Sequence, residues 1–264
     1  MRQLLLSTLV FASAVLPAFG STEVCIDHEK NEIQMIAHYK FYGDGAKEEV
    51  VKACVNEINS MFNDKFKLQL NKNGAWRRVV TKISYKVISE ADAKAFSLSN
   101  LDPKNNVVRI DTPSRGSRVD ISEHGLNNNY GYFISVNGLG SSTTCTHEFG
   151  HGIGLQHLPE PCNWEGKGVP PIMAPRGCAV DRQYQYDPFV QPGRKGGSLN
   201  PKFRQLHPSE ISAINFGDLD FKWVSPSKEC ATKGRALNKI YNKDGTFYLP
   251  FEVKLYPGMK NGSQ

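Results

Sequence analysis

After residue 20 the 264-residue sequence has no apolar run approaching the roughly 18 residues that a membrane span takes, so no span is expected in the body of the chain. It also lacks sustained heptads, and its 23 glycines and 15 prolines follow no period, which excludes a coiled coil and a collagen-like chain. No internal repeat is visible. None of the six cysteines is spaced as CxxC, so no cysteine-based metal or redox motif is present. Charge is unremarkable at 22% of residues against 39% hydrophobic, a balance that excludes disorder throughout and leaves a globular protein. Formal net charge is +6, yet residues 225–264 hold seven Lys and Arg against Glu229, Asp244 and Glu252. The remainder is close to neutral, which argues against nucleic acid as a partner, because neutralising several phosphates needs a clustered basic surface.

The first twenty residues differ from the rest. Arg2 gives a positive start, Leu4 to Pro17 is almost wholly apolar, and Ala18-Phe19-Gly20 places small residues at a cleavage site. Residues 1–20 therefore read as a secretory signal peptide and the protein as secreted. Six cysteines (Cys25, Cys54, Cys145, Cys162, Cys178, Cys230) in an exported chain point to disulfides. Cys162 and Cys178 bracket a Gly- and Pro-rich loop and are the pair expected to be joined.

The periodicities predict a mixed α/β fold with its sheet early. Ile33–Phe41 reads as the opening strand, and residues 46–63 as a helix with Val50, Val51, Cys54, Val55, Ile58, Met61 and Phe62 on one face. Short strands are expected over 66–70, 79–88, 107–110 and 130–136, a second helix over 143–154, and a third from Pro208 to Leu219. Strict alternation of Phe247, Leu249, Phe251, Val253 and Leu255 predicts a strand, with Pro250 placing it at an edge.

The stretch His147–His157, HEFGHGIGLQH, carries the chemistry. A helix puts His147 and His151 on one face one turn apart, near enough to share a zinc ion. Glu148, rotated about 100° from His147, can stand beside the metal without binding it. Gly154 can end the helix in the left-handed conformation and turn the chain so that His157 becomes a third ligand. Three nitrogens leave the fourth zinc position for water, the mark of a catalytic site. With Glu148 as general base, the residues specify amide hydrolysis by attack of a zinc-bound water.

HExxHxxGxxH is the signature of the metzincin zinc endopeptidases, and the sequence resembles it at His147, Glu148, His151, Gly154 and His157. Ile172-Met173-Ala174-Pro175 is similar to the clan's methionine-bearing turn, which implies that Met173 lies beneath the metal. HEFGHGIGL is most similar to the matrixins, whereas the bracket of Cys162 and Cys178 is more like adamalysins. Leu158 and Pro175 stand where astacins have a Glu and a Tyr, and the matrixin cysteine switch is missing. The resemblance implies an α+β catalytic domain over residues 21–224, with Tyr132–Val136 preceding the active-site helix and Tyr184, Tyr186 and Phe189 near a specificity pocket. His28, His38, His124 and His207 show no ligand spacing. Asp120, Glu123 and Asn127–Asn129 read as a polar turn, with calcium as the alternative.

The expectation is a secreted zinc endopeptidase acting on polypeptides. Residues 225–264 resemble the C-terminal segment by which metzincin A subunits of bacterial toxins dock on a receptor-binding partner, tethered here by Cys230. A free-standing extracellular protease, a strand folded back on its own sheet, and a non-catalytic zinc-stabilised module remain alternatives.

Overall fold

The structure is a computed structural model that describes residues 22–70, 74–111, 118–121, 127–134, 138–214, 216 and 219–231. The expected signal peptide, His124, Glu123 and the strand at 246–256 lie outside the described residues, as does residues 232–264 of the expected docking segment.

Among the described residues, nine strands form one sheet: β1 (Glu23–Asp27), β2 (Glu32–Tyr42), β3 (Lys67–Leu68), β4 (Arg77–Val87), β5 (Asn105–Asp111), β6 (Arg118–Ile121), β7 (Asn127–Ile134), β8 (Lys222–Ser225) and β9 (Lys228–Ala231). Four α-helices accompany them: α1 (Glu48–Phe62), α2 (Glu90–Ser99), α3 (Thr144–Gly152) and α4 (Pro208–Ala213). The architecture is mixed α and β.

Strand β2 organises the sheet. Its eleven residues run parallel to β4 along one edge. The other edge is shared, with β1 antiparallel to its first half and β5 parallel to its second. Its odd-numbered residues Ile33, Met35, Ala37, Tyr39 and Phe41 share one face and are all buried, while the opposite face carries Gln34, His38 and Lys40 among its residues. From β5 the sheet continues to β7 and ends at β6; from β1 it continues to β9 and ends at β8.

The expected elements stand with shifted ends and several additions. The chain opens on β1, not on β2, and α2 and β6 appear where no element was expected. The run at 66–70 narrows to the two residues of β3. Asn127–Asn129 begin β7 and are strand, not turn. The expected helix from Pro208 stops at Ala213, because Ile214 turns to an extended conformation (ψ 110°) and its N–H bonds only to Ile211. Phe216 and Leu219 still point inward from the chain that follows. Beyond Ser225 the chain does not leave the sheet at once: β9 pairs with β1, and Cys25–Cys230 bonds across that pair.

Helix α1 buries Val51, Cys54, Val55, Ile58 and Phe62 against the sheet and α3. Glu48 and Glu49 in its first turn complement its dipole. The Cys54–Cys145 disulfide and an edge-on contact of Phe62 with Phe149 at 5.4 Å help to hold α1 to α3. Gly140, just ahead of α3, has φ +83° and an added Cβ there would stand 2.5 Å from Ala53 of α1, so only glycine allows the close approach. The expected Cys162–Cys178 disulfide is present and centres a small separate core with Ala174, Val180 and Leu199. Three disulfides suit an oxidising environment. No helix among the described residues is long and apolar enough to cross a membrane.

Candidate metal centre

Every residue of α3 is buried. A nine-residue helix has few internal hydrogen bonds relative to its unsatisfied ends, so its stability must come from outside. Its N-terminus borrows a carboxylate from α1: Glu57, 8% exposed, accepts the Thr146 N–H at 2.9 Å and the Thr146 hydroxyl at 3.0 Å. Backbone donors of Gly140 and Cys145 also face it. Burial nonetheless pushes the Glu57 carboxyl up from its ordinary value.

The C-terminus ends as the sequence anticipates. Gly154 takes φ +100°. Its N–H donates to the His151 carbonyl and the Leu155 N–H reaches back to the Gly150 carbonyl, the paired bonds of a Schellman motif. The chain reverses there and brings His157 back toward the helix.

The three histidines converge. The Nε2 atoms of His147 and His151 stand 3.0 and 3.1 Å from Nε2 of His157. Each helical imidazole is oriented from behind: Nδ1 of His147 meets the Ile172 carbonyl at 2.6 Å, and Nδ1 of His151 meets the Leu155 carbonyl at 3.0 Å. A carbonyl only accepts, so Nδ1 carries the proton and Nε2 of both rings presents a lone pair. His157 can satisfy one of those lone pairs with a proton, never both. A cation answers all three nitrogens at once, and two nitrogens bound about 2.1 Å from one tetrahedral ion lie about 3.4 Å apart, close to the separations found. Burial, before any other cause, lowers all three imidazoles, His147 well below its usual value and His151 to about 4, so they are neutral at pH 7 as metal ligands must be. His147, His151 and His157 therefore form a group that can hold a metal ion.

Glu148 lies on the same helix and is 4% exposed. Met173 is buried against Gly150 on that helix. Tyr184 packs edge-on to Phe203, whereas Tyr186 is about half exposed and Phe189 is 91% exposed. His28 pairs with Glu229, His38 with Ser84, and His207 caps α4. Asp120 is in β6.

Three residues that the sequence did not single out complete the site. Glu210 of α4 accepts backbone N–H groups from Met173 at 2.7 Å, Ile172 at 3.1 Å and His207 at 2.8 Å. It thereby holds the very peptide whose carbonyl orients His147. His207-Pro-Ser-Glu210 forms a capping box, but with His at the N-cap neither the box nor its reach to the methionine turn was legible in the sequence. Arg204, 3% exposed, is a cation whose charge is felt by all three histidines and by Glu148. Glu57 is the third. In comparisons with known proteins, no family model and no curated protein matches this chain.

Proposed function

We propose that this protein is a zinc-dependent endopeptidase that hydrolyses peptide bonds in polypeptide substrates. The observation that carries the proposal is the convergence of the three imidazole Nε2 atoms, with the buried Glu148 following His147 in α3. His147, His151 and His157 would hold the metal, and an all-nitrogen triad fits zinc and leaves a coordination position open. When bound, zinc supplies Lewis acidity that polarises the scissile carbonyl and makes water acidic enough to attack near neutral pH.

The chain's own residues do the rest. Glu148, one position after His147 and shielded from bulk solvent, accepts the proton of the attacking water on its carboxylate and returns it to the leaving amine. The carbonyls of Ile172 and Leu155 hold the two helical imidazoles in the productive tautomer. Export from the cell is part of the proposal and is supported by the three disulfides. A receptor-binding partner on residues 225–264 rests on sequence alone.

The test joins metal analysis to turnover. Purified protein should carry about one zinc per chain and cleave an unstructured protein substrate. Glu148→Ala should keep the zinc and lose roughly 10²- to 10⁴-fold in kcat. Zinc retained with turnover unchanged in the variant overturns the assignment of Glu148, and zinc without any turnover in the parent protein makes the site a structural one.

A further inference from the structure

A cavity of about 380 Å³ opens beside the end of β1, the start of β4, β9 and the chain that follows α4, and none of the histidine-site residues lines it. That volume is at the small end of the range for ligand pockets. One part of the lining is apolar, with Ile26, Phe216 and Leu219 buried and Leu70 and Phe221 partly buried. The rest is polar, and its groups are joined. Arg77 Nη2 donates to His28 Nδ1 at 3.4 Å, and because an arginine only donates, His28 carries its proton on Nε2 and donates to Glu229 Oε1 at 2.9 Å. Asp220, also in the lining, pairs with Lys222 at 3.5 Å. The cations of Arg77 and Lys222 thus balance the carboxylates of Glu229 and Asp220. Such a site offers no net charge to an ion, yet it sets donors and acceptors side by side.

Sheet register sets an aromatic ring beside these groups. Trp223 of β8 stands opposite Glu229 of β9, which stands opposite Ile26 of β1. Directly opposed residues share a sheet face, so Trp223 is on the face from which Glu229 and Ile26 line the cavity. Its ring lies against that of His28, with centroids 5.2 Å apart and planes 21° from parallel. It is nonetheless 63% exposed. A tryptophan held open to water at the rim of a cavity is a ready stacking surface, because its broad ring is apolar and rigid.

We propose that this cavity is a saccharide-binding site, separate from the histidine site, that takes a neutral sugar ring against Trp223 with its hydroxyls on Arg77, Glu229 and Asp220. A pyranose has a face of C–H groups that packs on an aromatic ring, and hydroxyls that both donate and accept. Carboxylates accept from those hydroxyls and a guanidinium donates to them, so the ligand needs no charge of its own. An extended peptide is recognised instead through main-chain bonds along a sheet edge, whereas the polar groups that converge here are side chains. The inference does not depend on the endopeptidase reading, since it concerns binding at residues that the hydrolytic site does not use.

Titrations of the full chain followed by saturation-transfer NMR test this, with lactose, mannobiose and N,N′-diacetylchitobiose as neutral probes and a sulfated heparin disaccharide as the anionic comparison. At least one neutral sugar should bind saturably and more tightly than the sulfated one. Trp223→Ala should weaken that binding at least about tenfold, Trp223→Phe should keep part of it, and Glu229→Gln should reduce it. Should Glu229→Gln fail to fold, the two variants of the exposed Trp223 decide. A second arm measures capture of the protein on immobilised asialofetuin, a glycoprotein, before and after enzymatic removal of its glycans. Capture lost with the glycans assigns the sugar to a glycoprotein, and binding of disaccharides without capture assigns it to a free saccharide; either supports the site. Absence of saturable binding by every neutral probe, preference for the sulfated disaccharide, or affinity unchanged in Trp223→Ala overturns it. Capture that survives deglycosylation makes the occupant a protein and overturns it equally. Peptidase activity, measured separately, stands or falls without bearing on these outcomes.

Discussion

The sulfur of Met173 lies 2.5 Å from where a Cβ on Gly150 would stand, so the methionine turn and α3 meet through a gap that only glycine leaves open. Gly150 is helical, and glycine in a helix interior costs roughly 1 kcal/mol relative to alanine. The close contact explains why the better helix former is absent. It also links the two halves of the site, since Gly150 lies between His147 and His151 while the residue before Met173 orients His147.

Gly150→Ala should therefore destabilise the protein despite its higher helix propensity. Overpacking typically costs about 1–3 kcal/mol, seen as a lower Tm. Combining it with Met173→Ala should cost less than the sum of the two single changes, because the second removes the atom with which the first collides. Strict additivity in denaturant titrations would mean that the two residues do not touch.

Glu210→Ala leaves the N–H groups of Ile172, Met173 and His207 without their acceptor. Each buried donor so orphaned costs about 1–3 kcal/mol. Because the Ile172 carbonyl orients His147, zinc affinity should also fall by roughly 10- to 100-fold, the usual effect of losing an outer-shell partner. Competition with a chromophoric chelator measures it. Unchanged affinity in a folded variant refutes the link.

Glu57 makes a prediction about pH. Burial raises its carboxyl above the ordinary 4.5, so the folded state binds a proton more tightly than the unfolded chain. That contribution to stability is complete below the unfolded value and is lost as pH rises through the higher folded value. Stability should thus decline with rising pH just above 4.5 through this group, and Glu57→Gln should flatten that part of the curve. Urea titrations across the range, parent against variant, supply the two slopes; parallel slopes count against the assignment.

The disulfides close loops of very different length, with sequence separations of 205, 91 and 16. In the chain-entropy model their removal costs about 5, 4.6 and 3 kcal/mol respectively. Replacing Cys54 and Cys145 together by alanine should exceed the entropic figure, since it also loosens α3 from α1. Peptide mapping without reduction should recover the three pairs, and any exchanged partner refutes the connectivity.

The sequence by itself determined the histidine cluster almost completely, because its determinants are local. Spacing of four on a helix sets His147 and His151 on one face, and a glycine at 154 turns the chain for His157. The Cys162–Cys178 bond was legible for the same reason, as a short loop with a cysteine at each end. Interiors of the longer elements, β2, β4 and α1, could be read from period alone. Short elements failed: β1, α2 and β6 carry too few residues for a period to emerge, and α4 ends early although Ile211, Ile214 and Phe216 keep an inward-facing pattern past it. Only the tertiary structure decided what surrounds the histidines. Glu57, Arg204 and Glu210 are separated from them in sequence by tens of residues and look like ordinary surface charges until the chain buries them. Their roles depend on the desolvation and the backbone donors they meet there, and neither quantity exists before α1, α4 and the methionine turn are packed against α3.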